Sequence, residues 1–369
     1  MGKENMQDAK EAKQDEFYTQ FKDIENEINA YLDRNDDVFR GKVLLLPCDD
    51  PDWSNFTRYF AKNFRRLGLK KLISTSYAPN SKPKEVPYQP ALFEMQSPFF
   101  DEEKTYSKGK IFTLTGDSNA DEQINEEDLE WSYLEGDGDF RSDEVTSLRN
   151  EADIIITNPP FSLFREYLVW VRERDCLFSL IANKSCISYK EVFPLIRSDQ
   201  MWPGSTPMGK DLLFKVPPAM AEKLVLKGKE GSKWKRVDGE VMGRSASVWF
   251  TNIEHNRRHE PISLMTVEEN IKHSRHDEIR GIGYKKYDNY DAIEVPYTDA
   301  IPSDHTGVMG VPISFLGRYS PEQFEVIGMA ASSYDPDIMG IPFKGTKDGR
   351  PLVEGVNTFA RVFIRHKGV

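Results

Sequence analysis

Asn158-Pro159-Pro160-Phe161 is a run whose residue types suit one piece of chemistry. The amide oxygen of Asn158 and the main-chain carbonyl of Pro159 are two acceptors close together. Between them they can hold a single –NH2 group by both of its hydrogens. The two prolines fix φ and lack N–H groups, so the carbonyls around them are stiff and point outward. Phe161 adds a flat apolar face for the ring that carries such an amine. The same run also suits a plain strand exit stopped by Pro-Pro, so its context has to decide.

That context reads as strand, turn, helix. Ile154-Ile155-Ile156 predicts the end of a buried parallel strand, and residues 163–168 predict a helix. The strand delivers Asn158 to its carboxyl end, where open α/β sheets bind their ligands. Residues 43–46 predict the central strand, ending in Pro47-Cys48-Asp49-Asp50-Pro51 before a helix through Tyr59, Phe60, Phe64 and Leu67. Further strands are expected at 72–77 and 110–114, and another near Tyr133 that closes in a Gly-Asp turn. Ser142 is expected to cap a helix, and residues 176–182 and 245–252 to form later strands. Phe17, Phe21, Ile24, Ile28 and Tyr31 recur at helical spacing, which predicts an amphipathic helix from about residue 15. Five prolines between Pro79 and Pro98 break residues 78–107 into a long loop or insertion.

The Asn158 run resembles the (Asp/Asn/Ser)-Pro-Pro-(Tyr/Phe) motif of methyltransferases that use S-adenosylmethionine to methylate a planar amino group. Such a cofactor gives other residues candidate roles. Phe17, Tyr18 and Thr19 can line its methionine end, or else open an ordinary packing helix. Pro47, Asp49 and Asp50 follow the first strand without the glycines that a pyrophosphate needs. S-adenosylmethionine has no phosphate, and two carboxylates suit its sulfonium and amino group; a turn with a helix cap is the alternative. Ser76 stands where many such enzymes carry an acid for the ribose. Asp137 or Asp139 can accept from the adenine amine, with Phe140 stacked on the ring, unless this is a ligand-free hairpin.

A chain of 369 residues, 38% hydrophobic and 12% aromatic, is long enough to bury a sizeable core. No apolar run approaches the ~20 residues that cross a bilayer, and Met1-Gly2-Lys3-Glu4-Asn5 is no export signal. A cytoplasmic protein with no membrane association is expected. Cys48, Cys176 and Cys186 are scattered, without metal-ligand spacing, so no metal is expected. The net charge of −11 is uneven: residues 1–159 hold 20 Lys and Arg against 33 Asp and Glu, whereas 160–290 hold 22 against 17. Nucleic-acid binding depends on local basic surface, not on the sum. Lys229, Lys233, Lys235 and Arg236 around Trp234, then Arg257-Arg258, then Lys285-Lys286 among tyrosines, are candidate phosphate contacts, with Trp234 placed to stack on a base. A solvated hairpin tip is the alternative for the first group.

In order, these stretches resemble the EcoRI-type adenine-specific DNA methyltransferases from about residue 15 to residue 364. The resemblance rests on Asp15-Glu16-Phe17-Tyr18-Thr19, Leu46-Pro47-Cys48-Asp49-Asp50-Pro51, the Asn158 run through Tyr167, and Trp249-Phe250-Thr251-Asn252-Ile253. That order resembles the gamma arrangement of amino-methyltransferases. The missing acid at Ser76-Tyr77 is a departure from it. The resemblance implies an α/β fold: a Rossmann-like S-adenosylmethionine-dependent sheet with a C-terminal DNA-recognition extension. Residues 1–14 would be a flexible lead, 15–255 the catalytic domain and 256–369 the target-recognition region. It also implies a monomer that methylates the 6-amino group of an adenine flipped out of double-stranded DNA, with no need of a cognate restriction endonuclease for activity. An RNA or protein-glutamine amino-methyltransferase is the nearest rival. A catalytically silent DNA-binding relic is another, against which the intact Asn-Pro-Pro-Phe counts.

Overall fold

The structure is a computed structural model that describes residues 18–49, 54–78, 100–119, 121, 123–216, 218–332, 335–345 and 348–367. Its first strands are β1 (Tyr18–Thr19), β2 (Val43–Leu46), β3 (Lys71–Ser76), β4 (Lys110–Leu114), β5 (Glu130–Tyr133), β6 (Ile154–Thr157) and β7 (Leu177–Asn183). Then come β8 (Trp202–Pro203), β9 (Leu212–Lys215), β10 (Trp234–Val237), β11 (Glu240–Ser245) and β12 (Ser247–Thr251). The last are β13 (Ile293–Glu294), β14 (Met309–Pro312), β15 (Phe324–Ala330), β16 (Leu352–Val353), β17 (Val356–Asn357) and β18 (Arg361–His366). Two compact units result: Met1–Asn183 with Lys210–Ile253, and Lys184–Gly209 with Glu254–Val369. The stretch Lys184–Gly209 thus leaves the continuous 15–255 block expected from sequence and joins the second unit.

In the first unit the central sheet runs β5-β4-β3-β2-β6-β7-β12. Parallel pairing joins β3, β2, β6 and β7; β4, β5 and β12 run antiparallel to their neighbours. Every residue of β2 and β6 is buried, which is why β2 reads as Val-Leu-Leu-Leu and β6 as three isoleucines before Thr157 rather than as an alternation. Helices Phe21–Leu32 and Asn55–Lys62 close one face, with Ile24, Ile28, Phe56 and Phe60 packed on Leu44, Leu46, Ile154 and Ile156. From β2 the chain steps to β3 on one side, and from β6 to β7 on the other. The reversal leaves a crevice beyond the carboxyl ends of β2 and β6.

The β4–β5 pair is an excursion away from that crevice and back. β4 starts opposite Ser76 and ends opposite Leu72, and β5 returns until Tyr133 faces Lys110. Residues 136–140 are thereby set down beside the end of β3. The packing there is close: a Cβ on Gly138, whose φ is +85°, would lie 2.3 Å from the Ser76 carbonyl oxygen.

A smaller sheet of the first unit runs β1-β9-β11-β10. Here the sequence expectation needs correcting. Among the described residues the first helix starts at Phe21, and Tyr18–Thr19 is a strand paired with Lys215 and Phe214 of β9. A partner so far along the chain leaves no trace in local periodicity. In the second unit β13-β14-β18-β15 form a sheet, in which Arg361 meets Glu294 at 2.5 Å and the Tyr287 hydroxyl donates to the same carboxylate.

Candidate functional site

The crevice is assembled by a hydroxyl that sequence reasoning passed over. Thr157 Oγ, at the end of β6, lies 2.7 Å from the Pro47 carbonyl and 2.5 Å from Asp49 Oδ2, and its one hydrogen serves the two acceptors in turn. Asp49 Oδ1 accepts from Ser54, 2.7 Å away, and the Ser54 oxygen in turn accepts from the Phe56 N–H, capping the Asn55–Lys62 helix. The Asp49 carbonyl accepts from Thr57 and from Ser74 of β3. The ends of β2, β3 and β6 are therefore one hydrogen-bonded assembly, and Asn158 is the next residue out. Pro159 is buried, while Asn158, Pro160 and Phe161 are half-buried; Phe161 leans on the core below.

Asp49 changes role in consequence. It is buried, and both of its carboxylate oxygens are engaged by hydroxyls. It braces the turn and is not turned outward to meet a sulfonium. Pro47 is buried beside it, and its carbonyl belongs to the same brace. Phe17 and Asp50 lie outside the described residues, and Tyr18 is described only as backbone.

Ser76 and Asp137 are brought together, since the Ala78 N–H donates to the Asp137 carbonyl at 2.7 Å. Asp139 is committed elsewhere. Arg141 grips its carboxylate, at 2.9 Å and 2.6 Å, and holds its pKa below the usual aspartate range. Phe140 is buried against Tyr167 and Trp170, ring centroids 5.0 and 5.5 Å away, so it cannot stack on an adenine. Of the residues that the Gly-Asp-Gly-Asp-Phe turn offers, Asp139 is taken by Arg141 and Phe140 by the core, which leaves Asp137 as the candidate acceptor.

Thr19 fits a ligand site better than sequence alone could show. Its carbonyl accepts from Asn55 Nδ2 at 2.8 Å, at the start of the helix that Ser54 caps. Its hydroxyl is buried and has no hydrogen-bond partner among the described residues. Buried hydroxyls are almost always paired. An unmatched one beside this crevice suits a polar ligand such as a methionine-like head group.

The basic candidates divide by exposure. Lys233, Lys235 and Arg236 stand exposed on or beside the β10–β11 hairpin, with Lys229 just before it. Trp234 does not reach a base as expected: it is buried, with its indole N–H donating to the Gly228 carbonyl. Arg258 is also not available to a phosphate. It is buried over the Trp202 ring, 3.8 Å from its centroid, and paired with Asp199 and Glu254. Arg257 is half-buried and donates to the Ser205 carbonyl. Lys285 and Lys286 are exposed, the former 2.8 Å from Glu354. Trp249 and Phe250 both go into the core, against Phe56 and Phe164.

Among the described residues no group of His, Cys, Asp or Glu is arranged to hold a metal ion, and no helix is long and apolar enough to cross a membrane. The family model of the adenine-specific methyltransferase EcoRI matches residues 5–367. Type II methyltransferase M.EcoRI of Escherichia coli is 38% identical over 362 residues, 97% of this chain and 95% of that protein. Type II methyltransferase M.MpnI of Mycoplasma pneumoniae is 31% identical over 327 residues, 88% of this chain and 86% of that one. No solved structure matches.

Proposed function

We infer that this chain, which belongs to the family of the adenine-specific methyltransferase EcoRI, methylates the 6-amino group of adenine at a specific sequence in double-stranded DNA. The observation that carries the reading is the Thr157 bridge, which sets Asn158-Pro159-Pro160-Phe161 against the turn after β2 at the switch point of the sheet. S-adenosylmethionine, when bound, supplies the methyl group from its sulfonium. Thr19, Ser76, Asp137 and Asn158 are the residues proposed to hold it, with Asp49 bracing the turn at residues 47–49.

The remaining chemistry belongs to the chain. Asn158 Oδ1 and the Pro159 carbonyl accept the two amine hydrogens of the adenine, which concentrates electron density on its nitrogen. Phe161 stacks on the base. A base inside a duplex cannot reach this corner, so it is flipped out, at a cost of a few kcal/mol in stacking and pairing. Transfer to a held, aligned amine then needs positioning more than acid–base groups. The β10–β11 hairpin is proposed to contact phosphates, and the second unit to read the target.

A filter assay with tritiated S-adenosylmethionine tests this reading. Label incorporated into unmethylated genomic DNA, and lost when that DNA is already methylated at adenine, is the expected result. Label confined to RNA or protein would replace this reading with its nearest rival. Tight DNA binding without label would point to a silent binder.

A further inference from the structure

Among the described residues Phe359 is the one Phe, Tyr or Trp whose side chain stands exposed, at 83%. A ring of that size left in water forgoes most of what its burial would contribute. Val356, at 69%, is exposed on the same short stretch of the second unit.

The backbone beneath them is braced. The β16–β17 hairpin turns through Glu354 and Gly355 at φ +52° and +77°, the left-handed pair that a two-residue turn of this kind needs. Asn289, itself buried, donates from Nδ2 to the Arg350 carbonyl and accepts from the Leu352 N–H, each at 2.9 Å. The Asp288 carboxylate accepts from the Gly355 N–H at 2.8 Å. On one side of Phe359, the Thr358 N–H donates to the Pro351 carbonyl at 2.8 Å. Beyond it, Arg361 is buried in β18 and paired with Glu294. Phe359 therefore projects from backbone that is already fixed, so little ordering is left to be done on binding.

The segments that anchor the hairpin are cationic. Lys285 and Lys286 stand exposed just before Asp288 and Asn289, and the N–H of Lys344, also exposed, donates to the Asn289 carbonyl. Lys285 meets Glu354 at the hairpin turn, 2.8 Å away. An apolar protein surface laid on the ring would desolvate these ammonium groups without pairing them. A duplex offers phosphates to the lysines and base faces to the ring.

We propose that Phe359 inserts between stacked base pairs of the target duplex and kinks it, while Lys286 and Lys344 meet the phosphates. The inference rests on the reading that the second unit meets DNA. Apolar wedges of this kind unstack a base step and bend the duplex by tens of degrees.

The test uses the full chain and a duplex of about 30 base pairs with a fluorophore pair at its ends. Its centre carries the adenine site found methylated in the DNA of an expressing cell. Binding of the unaltered protein should bring the two ends closer. Phe359→Ala should lose that bend, with its Kd for the duplex raised about 10-fold to 100-fold. Its logarithmic salt slope should stay the same, since no phosphate contact is lost. Its melting temperature should stay within about 1 °C, as expected for an exposed side chain. Phe359→Trp should keep the bend. Unchanged affinity or an intact bend in Phe359→Ala would overturn the proposal, as would an unbent complex of the unaltered protein. A shallower salt slope, or a clearly lower melting temperature, would also overturn it by assigning the loss to phosphate contacts or to the fold. Absence of any methylated adenine in the expressing cell would instead bring down the functional reading itself.

Discussion

At the scale of single residues, Asn158 and Thr157 carry different burdens and should fail differently. Asn158→Ala removes an acceptor for the amine and one of four proposed cofactor contacts, so transfer should be abolished while S-adenosylmethionine binding weakens by roughly several-fold at most. Near-normal turnover in a methylation assay would remove Asn158 from the chemistry. Thr157→Val keeps the shape but takes a hydroxyl away from the Pro47 carbonyl and the buried Asp49 carboxylate. It should cost about 1–3 kcal/mol in denaturant unfolding, the penalty of a buried acceptor left unmatched. The place of Asn158 just past a buried strand was legible, because three isoleucines lead into a Pro-Pro stop. Thr157 was not, because its importance lies in which carbonyls meet it across β2 and β6.

At the scale of elements, hydrophobic runs gave the buried parallel strands, and a serine before a helix gave its cap at Ser142. What they could not give was pairing between distant segments. Thr19 in a strand with β9, and Gly138 against the Ser76 carbonyl, follow from approaches that only the folded chain makes. Exposure was hidden in the same way. Arg258 and Lys235 look alike in sequence, yet one is sealed over Trp202 and the other stands on an open hairpin. Replacing Lys233, Lys235 and Arg236 together by alanine should weaken DNA binding and reduce its logarithmic salt slope by about 2–3. An unaltered slope would place the hairpin off the DNA. Arg258→Met should leave that slope alone and lower stability by about 1–3 kcal/mol.

At the scale of the whole molecule, the two units should answer differently to pH. In the second unit His259 sits between Glu322 and Glu254, 2.7 Å from each. Burial alone would lower the His259 pKa, but the two carboxylates outweigh it and the value ends above the ordinary one. Its contribution is whole below about pH 6.5 and is lost as pH rises through the raised value. Burial likewise works to raise Glu322, but His259 and Ser320 outweigh it and hold it down to about 2, so its share is lost only as pH falls toward that value. Unfolding followed by hydrogen exchange should show the second unit weakening from pH 6 to 8, and His259→Gln should flatten that trend. An identical trend in the variant would assign it to other groups. The two-unit division was only partly legible, because Lys184–Gly209 departs from the first unit and the chain later returns to it, with no compositional break. The excursion through β4 and β5 has a practical use. The described part of the connection between them, residues 115–119, 121 and 123–129, emerges at the end of the sheet opposite Asn158, with Asp128 knotting it by accepting from the N–H groups of Ser118, Asn119 and Asn125. A fluorophore or surface tether attached there would report on the enzyme at work from its back side, out of the path of both substrate and donor.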